Sequence, residues 1–134
     1  MRIPALSDIL WKEAKKGVRR MCEQRDAIGI FNQVCEACNG AFERKIQDAY
    51  LYGSYARGDY HDGSDIDIFL TVDVAPEELR PYREAAAKVC SELGLEHDVM
   101  ISAAIEPLSR FRRYADVLPY YRNVIQEGVR YAAG

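Results

Sequence analysis

Two aspartates separated by one isoleucine, Asp65 and Asp67, are the residue types and spacing in this sequence best suited to chemistry. As part of a β-strand, both carboxylates would project from the same face. Two carboxylates held about 4 Å apart repel each other by about 4 kcal/mol at an effective dielectric constant of about 20. A raised carboxyl pKa, a nearby Arg or Lys, or a divalent cation would offset this repulsion, and oxygen ligands converging on one point suit Mg²⁺ or Mn²⁺. Because Mg²⁺ commonly takes substrate phosphates as further ligands, the pair indicates a nucleotide substrate.

A glycine and a serine twelve and eleven positions before Asp65 supply groups that suit the phosphates of such a substrate. Gly53 would let the backbone approach a phosphate closely, because it has no side chain. Ser54 offers a hydroxyl and a backbone N–H at the start of a short helical turn. Arg57, one turn further on, would bring a positive charge toward the same phosphates.

A third carboxylate, Asp98, lies in a segment over 95–102 that has the character of a β-strand. If this strand pairs beside the strand of the two aspartates, Asp98 joins Asp65 and Asp67. We therefore expect the three carboxylates to meet. Such a trio is what two-metal phosphoryl or nucleotidyl transfer requires.

The elements that would position these residues are helices and strands that alternate along the chain. In order, the sequence predicts a helix from Ser7 or Asp8 to Met21, a helix over 31–46, a strand over 48–52, a strand over 65–72, a helix from Pro76 to a stop at Gly94, a strand over 95–102, and helices over 108–117 and 119–132. Strands interleaved with helices predict an α/β (α+β) fold, with a small mixed sheet flanked by helices.

Length and composition favour one compact unit. We expect a single domain over 1–134, with N-terminal helices over 1–46, a catalytic core over 48–102 and C-terminal helices over 107–132. Apolar residues make up 49% and charged residues 29%, which excludes a disordered or collagen-like chain. The sequence contains no apolar run of membrane-spanning length and no pattern typical of a secretory signal, so we expect a cytoplasmic protein without membrane association. A net charge of −3 gives no general attraction to nucleic acid, and we expect no stable nucleic-acid binding.

Four cysteines are present, and two of them form a C-x-x-C pair, Cys35 and Cys38. A structural zinc site needs two further ligands at similar spacing, and neither histidine lies near a second such pair. Both cysteines follow the helical spacing of Phe31, Val34 and Phe42 on one face. We therefore interpret them as small core residues with free thiols.

The segment from Gly53 to Asp67 resembles the G-S-x10-D-x-D signature of the polymerase-beta-like nucleotidyltransferase superfamily. Its detailed form is most similar to the minimal nucleotidyltransferases, the MntA-type antitoxins. The resemblance covers 48–102, and the closing segment with Asn123, Glu127 and Gly128 is similar to the usual ending of that family.

The resemblance implies a nucleotidyltransferase fold and an enzyme that uses ATP together with Mg²⁺ or Mn²⁺. It implies that Asp65 and Asp67 hold the metal, that Asp98 is the third carboxylate, and that Gly53 and Ser54 hold the triphosphate. These carboxylates are the candidate catalytic and metal-binding residues. The candidate nucleotide-binding residues are Gly53, Ser54, Arg57 and Ser64.

The resemblance also implies a partner, because the family acts on a HEPN ribonuclease toxin and silences it by transferring AMP to a toxin tyrosine. Two other functions stay open from the sequence. One is a small-molecule nucleotidyltransferase of the aminoglycoside type, which would act on a drug as a dimer and so as a homo-oligomer. The other is an antitoxin that binds its toxin without catalysis.

Overall fold

The computed structural model describes residues 21–131 of the chain. The elements in chain order are α1 (Gln24–Ala41), β1 (Ile46–Tyr52), α2 (Ser54–Arg57), β2 (Ile66–Val72), a 3₁₀ turn (Pro76–Glu78), α3 (Arg80–His97), β3 (Ile101–Pro107), α4 (Leu108–Tyr114), α5 (Pro119–Glu127) and β4 (Val129–Arg130). The predicted mixture of helices and strands is therefore confirmed.

The described strands form one mixed sheet in the order β3-β2-β1-β4. β1 runs antiparallel to β2, and this pairing sets Tyr52 opposite Asp67. β2 runs parallel to β3, with Asp67 opposite Ser102, and α3 makes the crossover that a parallel pair needs. The central strands β1 and β2 therefore carry both Gly53 and the two aspartates at one end of the sheet.

The two faces of the sheet bury different kinds of side chain. On one face the aliphatic residues of β2, such as Ile68 and Leu70, pack against α1 and α3. On the other face Phe69 packs in an aromatic cluster with Tyr50, Phe111 and Tyr121, which holds α4 and α5 against the sheet. Asp67 shares this second face with Phe69, because alternate residues of a strand point the same way.

The strand predicted over 95–102 is wrong, because α3 continues through Gly94 to His97 and β3 begins only at Ile101. The helix ends at Asp98, which has the left-handed φ of 55° and whose backbone N–H donates to the carbonyl of Gly94. A left-handed residue is a common helix ending. Gly94 serves a different purpose, since a Cβ there would lie 2.8 Å from the backbone oxygen of Val99.

Other element boundaries also differ from the predictions. The helix predicted over 31–46 spans Gln24–Ala41, so that Ile46 belongs to β1. The helix predicted from Pro76 begins as a 3₁₀ turn, and the one predicted over 108–117 ends at Tyr114. The last helix ends at Glu127, after which the chain forms β4 beside β1. The first predicted helix, from Ser7 or Asp8 to Met21, lies almost wholly outside the described residues.

The cysteines of the C-x-x-C pair pack in the core, as predicted. Cys35, Cys38 and Cys90 are buried in the cluster between the sheet and helices α1 and α3. Burial raises the pKa of the Cys90 thiol to about 11 and, with Cys90 nearby, that of the Cys38 thiol to about 12. These thiols are therefore protonated at neutral pH and behave as small apolar side chains.

Within residues 21–131, no helix is both long enough and apolar enough to cross a membrane.

Substitution of Gly94 by alanine tests the close approach between α3 and the following turn. Alanine favours helices, but its Cβ would meet the Val99 carbonyl, so we expect Gly94→Ala to lower the free energy of unfolding by about 1–2 kcal/mol. Gly29→Ala in α1 is the matched control, because a Cβ there meets nothing within 4 Å and should stabilise the fold by up to about 1 kcal/mol. Urea unfolding measures both, and equal effects of the two variants would contradict the packing described.

Candidate active site

A cleft of about 400 Å³ opens where β1, α2, β2 and α5 meet. Its lining residues are Tyr52, Gly53, Ser54, Arg57, Asp67, Tyr120, Asn123, Val124 and Glu127. Small-molecule sites in proteins commonly measure about 300–1,000 Å³, so the cleft is large enough for a ligand of modest size. It contains four of the residues to which the sequence analysis assigned a role in the site, namely Gly53, Ser54, Arg57 and Asp67.

Gly53 forms the turn from β1 into α2 directly over the carboxylate of Asp67. Its φ of 77° lies in the region that side chains disfavour. A Cβ at this position would lie 2.5 Å from Oδ2 of Asp67. Only glycine therefore fits here, both for its backbone conformation and for its closeness to the acidic side chain.

The short helix α2, which begins at Ser54, is fixed from behind by α1 and the residues before it. The side-chain amide of Gln24 donates to the carbonyl of Tyr55 at 2.8 Å. The hydroxyl of Tyr55 in turn donates to the carbonyl of Cys22 at 3.3 Å. These bonds hold the turn, so Ser54 faces the cleft from a fixed backbone.

Asp67 is half-buried, and its environment opposes its negative charge. Burial raises the pKa of its carboxyl, the charge of Asp65 raises it further, and Arg57 lowers it. Asp65 itself is exposed, one residue before β2 begins. The predicted repulsion between the two aspartates is therefore present, and bound positive charge would relieve it.

The donor set suits a hard cation such as Mg²⁺ only in part. Asp65 and Asp67 supply carboxylate oxygens, which Mg²⁺ prefers. Among residues 21–131, however, no three His, Cys, Asp or Glu side chains come together to hold a metal. The pair fits a cation that takes its other ligands from water or substrate, which is the usual manner of Mg²⁺ binding.

Arg57 brings positive charge to the rim of the cleft. Its Nε lies 3.3 Å from Oδ2 of Asp59, and its Nη1 lies 3.4 Å from Oε2 of Glu127. The Arg57 side chain is 43% exposed, and such exposed pairs contribute little to stability. The guanidinium can therefore exchange these partners for the phosphates of a ligand.

The structure does not bring Asp98 or Ser64 into this cleft, which corrects the expected acidic trio. Asp98 is exposed at the end of α3 and lines a separate cavity of about 860 Å³. Because α3 is longer than predicted, the β3 residue opposite Asp67 is Ser102, four positions after Asp98. Ser64 lines the same separate cavity, and its hydroxyl accepts a hydrogen bond from the backbone N–H of His61 at 2.9 Å.

Several cleft residues had no assigned role in the sequence analysis. Tyr52 comes from the end of β1, and Tyr120, Asn123 and Glu127 come from α5. The three residues of α5 are spaced i, i+3 and i+7, which places them on one face of a helix. That spacing is visible in the sequence, but it gains meaning only when α5 is known to lie beside Gly53.

Known proteins resemble the chain in sequence and in fold. A family model described as a nucleotidyltransferase domain matches residues 34–131. Two proteins of Methanocaldococcus jannaschii are both named as candidate protein adenylyltransferases. The first is 34% identical over 69% of this chain and 84% of its own length. The second is 36% identical over 60% of this chain and 79% of its own length. The crystal structure of a candidate nucleotidyltransferase from Sulfolobus solfataricus superposes with a TM-score of 0.56 at 20% identity, covering 80% of each chain.

The matched region contains every residue that lines the cleft, including Gly53 and Asp67, and also the exposed Asp65 near it in sequence. The family match, the identity to the archaeal relatives and the observed mixed sheet with its flanking helices are consistent with one another. The chain therefore belongs to the nucleotidyltransferase domain family and is a nucleotidyltransferase.

Proposed function

We propose that this nucleotidyltransferase transfers AMP from ATP to a hydroxyl group of a protein, and that the cleft beside Gly53 is its catalytic site. The observation that carries the proposal is the bare glycine backbone set against the half-buried carboxylate of Asp67. This arrangement leaves room for phosphates beside two acidic side chains whose mutual repulsion a bound cation would relieve. The names of the archaeal relatives, candidate protein adenylyltransferases, support a protein as the acceptor.

In the proposed mechanism, Asp65 and Asp67 would hold a divalent cation, Mg²⁺ or Mn²⁺, that neutralises triphosphate charge and makes the α-phosphorus more electrophilic. Gly53 lets the triphosphate approach the backbone, and the Ser54 hydroxyl donates a hydrogen bond to a phosphate oxygen. Arg57 leaves Asp59 and Glu127 to pair with the phosphates.

The reaction joins the acceptor oxygen to the α-phosphorus and breaks the bond from that phosphorus to the oxygen that bridges it to the β-phosphate. Pyrophosphate leaves, and the acceptor hydroxyl loses its proton to water. The residues of the cleft act by positioning the reactants and by neutralising charge. The proposed catalytic residues are therefore Asp65 and Asp67, without Asp98.

For the acceptor, we propose a tyrosine of a HEPN ribonuclease toxin. The support is the resemblance of the segment from Gly53 to Asp67 to the MntA-type antitoxins. Transfer of AMP to the toxin would make this chain the antitoxin of a pair.

Transfer from ATP labelled at its α-phosphate tests the reaction and the acceptor together. With Mg²⁺ and a purified HEPN ribonuclease toxin, we expect label on a toxin tyrosine, and a rate lower by about 100-fold or more with Asp67→Asn. Circular dichroism checks that the variant is folded. Label found on an aminoglycoside, or a toxin that is inhibited without any label, would overturn the proposed function.

Substitution of Asp98 separates the cleft seen in the structure from the acidic trio expected from the sequence. Asparagine tolerates the left-handed backbone at this position, so Asp98→Asn should fold normally. Because Asp98 lies outside the cleft, we expect its rate of AMP transfer to stay within about threefold of wild type, an energy difference under about 1 kcal/mol. A loss as large as that of Asp67→Asn would place Asp98 in the catalytic site.

The raised pKa of Asp67 predicts how stability depends on pH. The folded protein disfavours the ionised carboxylate, so the stability that Asp67 contributes is fully present below its unfolded-state pKa and is lost as the pH rises through the folded-state pKa. In EDTA, we therefore expect the free energy of unfolding of wild type to fall relative to that of Asp67→Asn as the pH rises above the ordinary value of 3.8. Urea unfolding across this range measures the difference, and a rise with pH would contradict the described environment.

A further inference from the structure

Besides the buried Val124, helix α5 presents three polar or aromatic side chains to the cleft along one face, and their chemistry changes from one end to the other. Glu127 at the end of α5 pairs with Arg57, which makes that end of the cleft polar and charged. Tyr120, seven residues earlier, makes the opposite end aromatic, and Asn123 lies between them. Seven residues of α-helix span about 10 Å. The cleft is therefore shaped for an elongated ligand with a charged end and a flat, apolar end.

The ring of Tyr120 is held in place and yet stays open to the cleft. It packs edge-on against Tyr52 at 5.8 Å between centroids and also contacts Phe69 and Tyr121 at 5.9 and 5.7 Å. Its hydroxyl donates to the hydroxyl of Tyr52 at 3.0 Å. Tyr120 nevertheless remains 43% exposed. A fixed, partly exposed aromatic ring is a platform on which a planar base can stack, and little ordering is needed when the base binds.

Asn123 supplies a directional polar group beside this platform. Its side chain is exposed, and it makes no hydrogen bond to any other residue between positions 21 and 131. A carboxamide offers one donor group and one acceptor group side by side. This pair complements the amino group and ring nitrogen N7 on one edge of adenine. Guanine presents two acceptors on the corresponding edge, so the same amide matches it poorly.

We propose that this face of α5 selects the nucleobase of the substrate, with the adenine ring stacked on Tyr120 and its edge hydrogen-bonded to Asn123. The inference rests on the proposed function, because it requires that the triphosphate lies at the Gly53 and Arg57 end of the cleft. In this proposal α5 determines which nucleotide binds, whereas Asp65 and Asp67 take part in the transfer of AMP. Tyr120 and Asn123 are then specificity-determining residues.

Calorimetric binding to the whole chain with Mg²⁺ tests the inference through four probes: ATP, inosine triphosphate, GTP and inorganic tripolyphosphate. Inosine triphosphate carries a carbonyl in place of the amino group of adenine and a proton on N1, so the change in its relative affinity on Asn123→Ala reports on Asn123. We expect wild type to bind ATP about tenfold or more tightly than inosine triphosphate or GTP, and tripolyphosphate more weakly than ATP. Asn123→Ala should bring the ratio of ATP to inosine triphosphate close to one.

The control for Asn123 is Gln126, which carries the same carboxamide on α5 but is exposed outside the cleft. Gln126→Ala should leave all four affinities unchanged. For Tyr120, Tyr120→Phe retains the ring and should keep the preference for ATP over tripolyphosphate, whereas Tyr120→Leu should reduce it about tenfold. Since Asn123 is exposed, its variant tests the inference even if Tyr120→Leu fails to fold.

The outcomes separate this inference from the proposed function. If wild type binds ATP, inosine triphosphate and GTP equally and still transfers AMP, the assignment of α5 is wrong and the proposed function stands. If Asn123→Ala keeps its nucleotide preference but loses transfer to the acceptor, Asn123 contacts the acceptor and the assignment is likewise overturned. If wild type binds no triphosphate and transfers no AMP, the proposed function itself fails.

Discussion

The close approach of the Gly53 backbone to the Asp67 carboxylate is the constraint on which the site depends. It arises from the pairing of β1 with β2, which sets Tyr52 opposite Asp67 and makes the chain turn directly over that side chain. A Cβ would lie 2.5 Å from the carboxylate oxygen, so no other residue type fits the turn. Ser54 and Arg57 follow within the next turn of the chain and therefore face the same cleft.

The rest of the fold makes this turn rigid and gives it a facing wall. The aliphatic face of the sheet packs on α1 and α3, and Gln24 of α1 anchors the short helix that begins at Ser54. The aromatic face holds α5 against the sheet through Phe69 and Tyr121. The groups suited to phosphates thus come from the strands and the turn, while the opposite wall is a separate helix fixed by aromatic packing.

The sequence was sufficient for the features that depend on neighbouring residues. The alternation over 65–72 predicted β2 with both aspartates at its start, and the glycine-serine turn was found where expected. Asp98 was misplaced because the end of α3 depends on the left-handed backbone at Asp98 and on the packing of Val99 against Gly94, which no periodicity shows. The position of Tyr120 and Asn123 in the cleft was not predictable, because their proximity to Gly53 comes from the docking of α5 on the sheet.

The pairing of β4 with β1 has a consequence for how the enzyme matures. Between positions 21 and 131, the outer neighbour of the strand that leads into Gly53 comes from Val129 and Arg130. The backbone N–H of Tyr131 also donates to the carbonyl of Ala49 at 2.9 Å. Helix α5 precedes that strand directly. A nascent polypeptide still attached to the ribosome can pair β1, β2 and β3 before these residues emerge. Because α5 leads directly into β4, the wall that this helix gives to the cleft is synthesised after the three strands that carry the glycine turn and the aspartates.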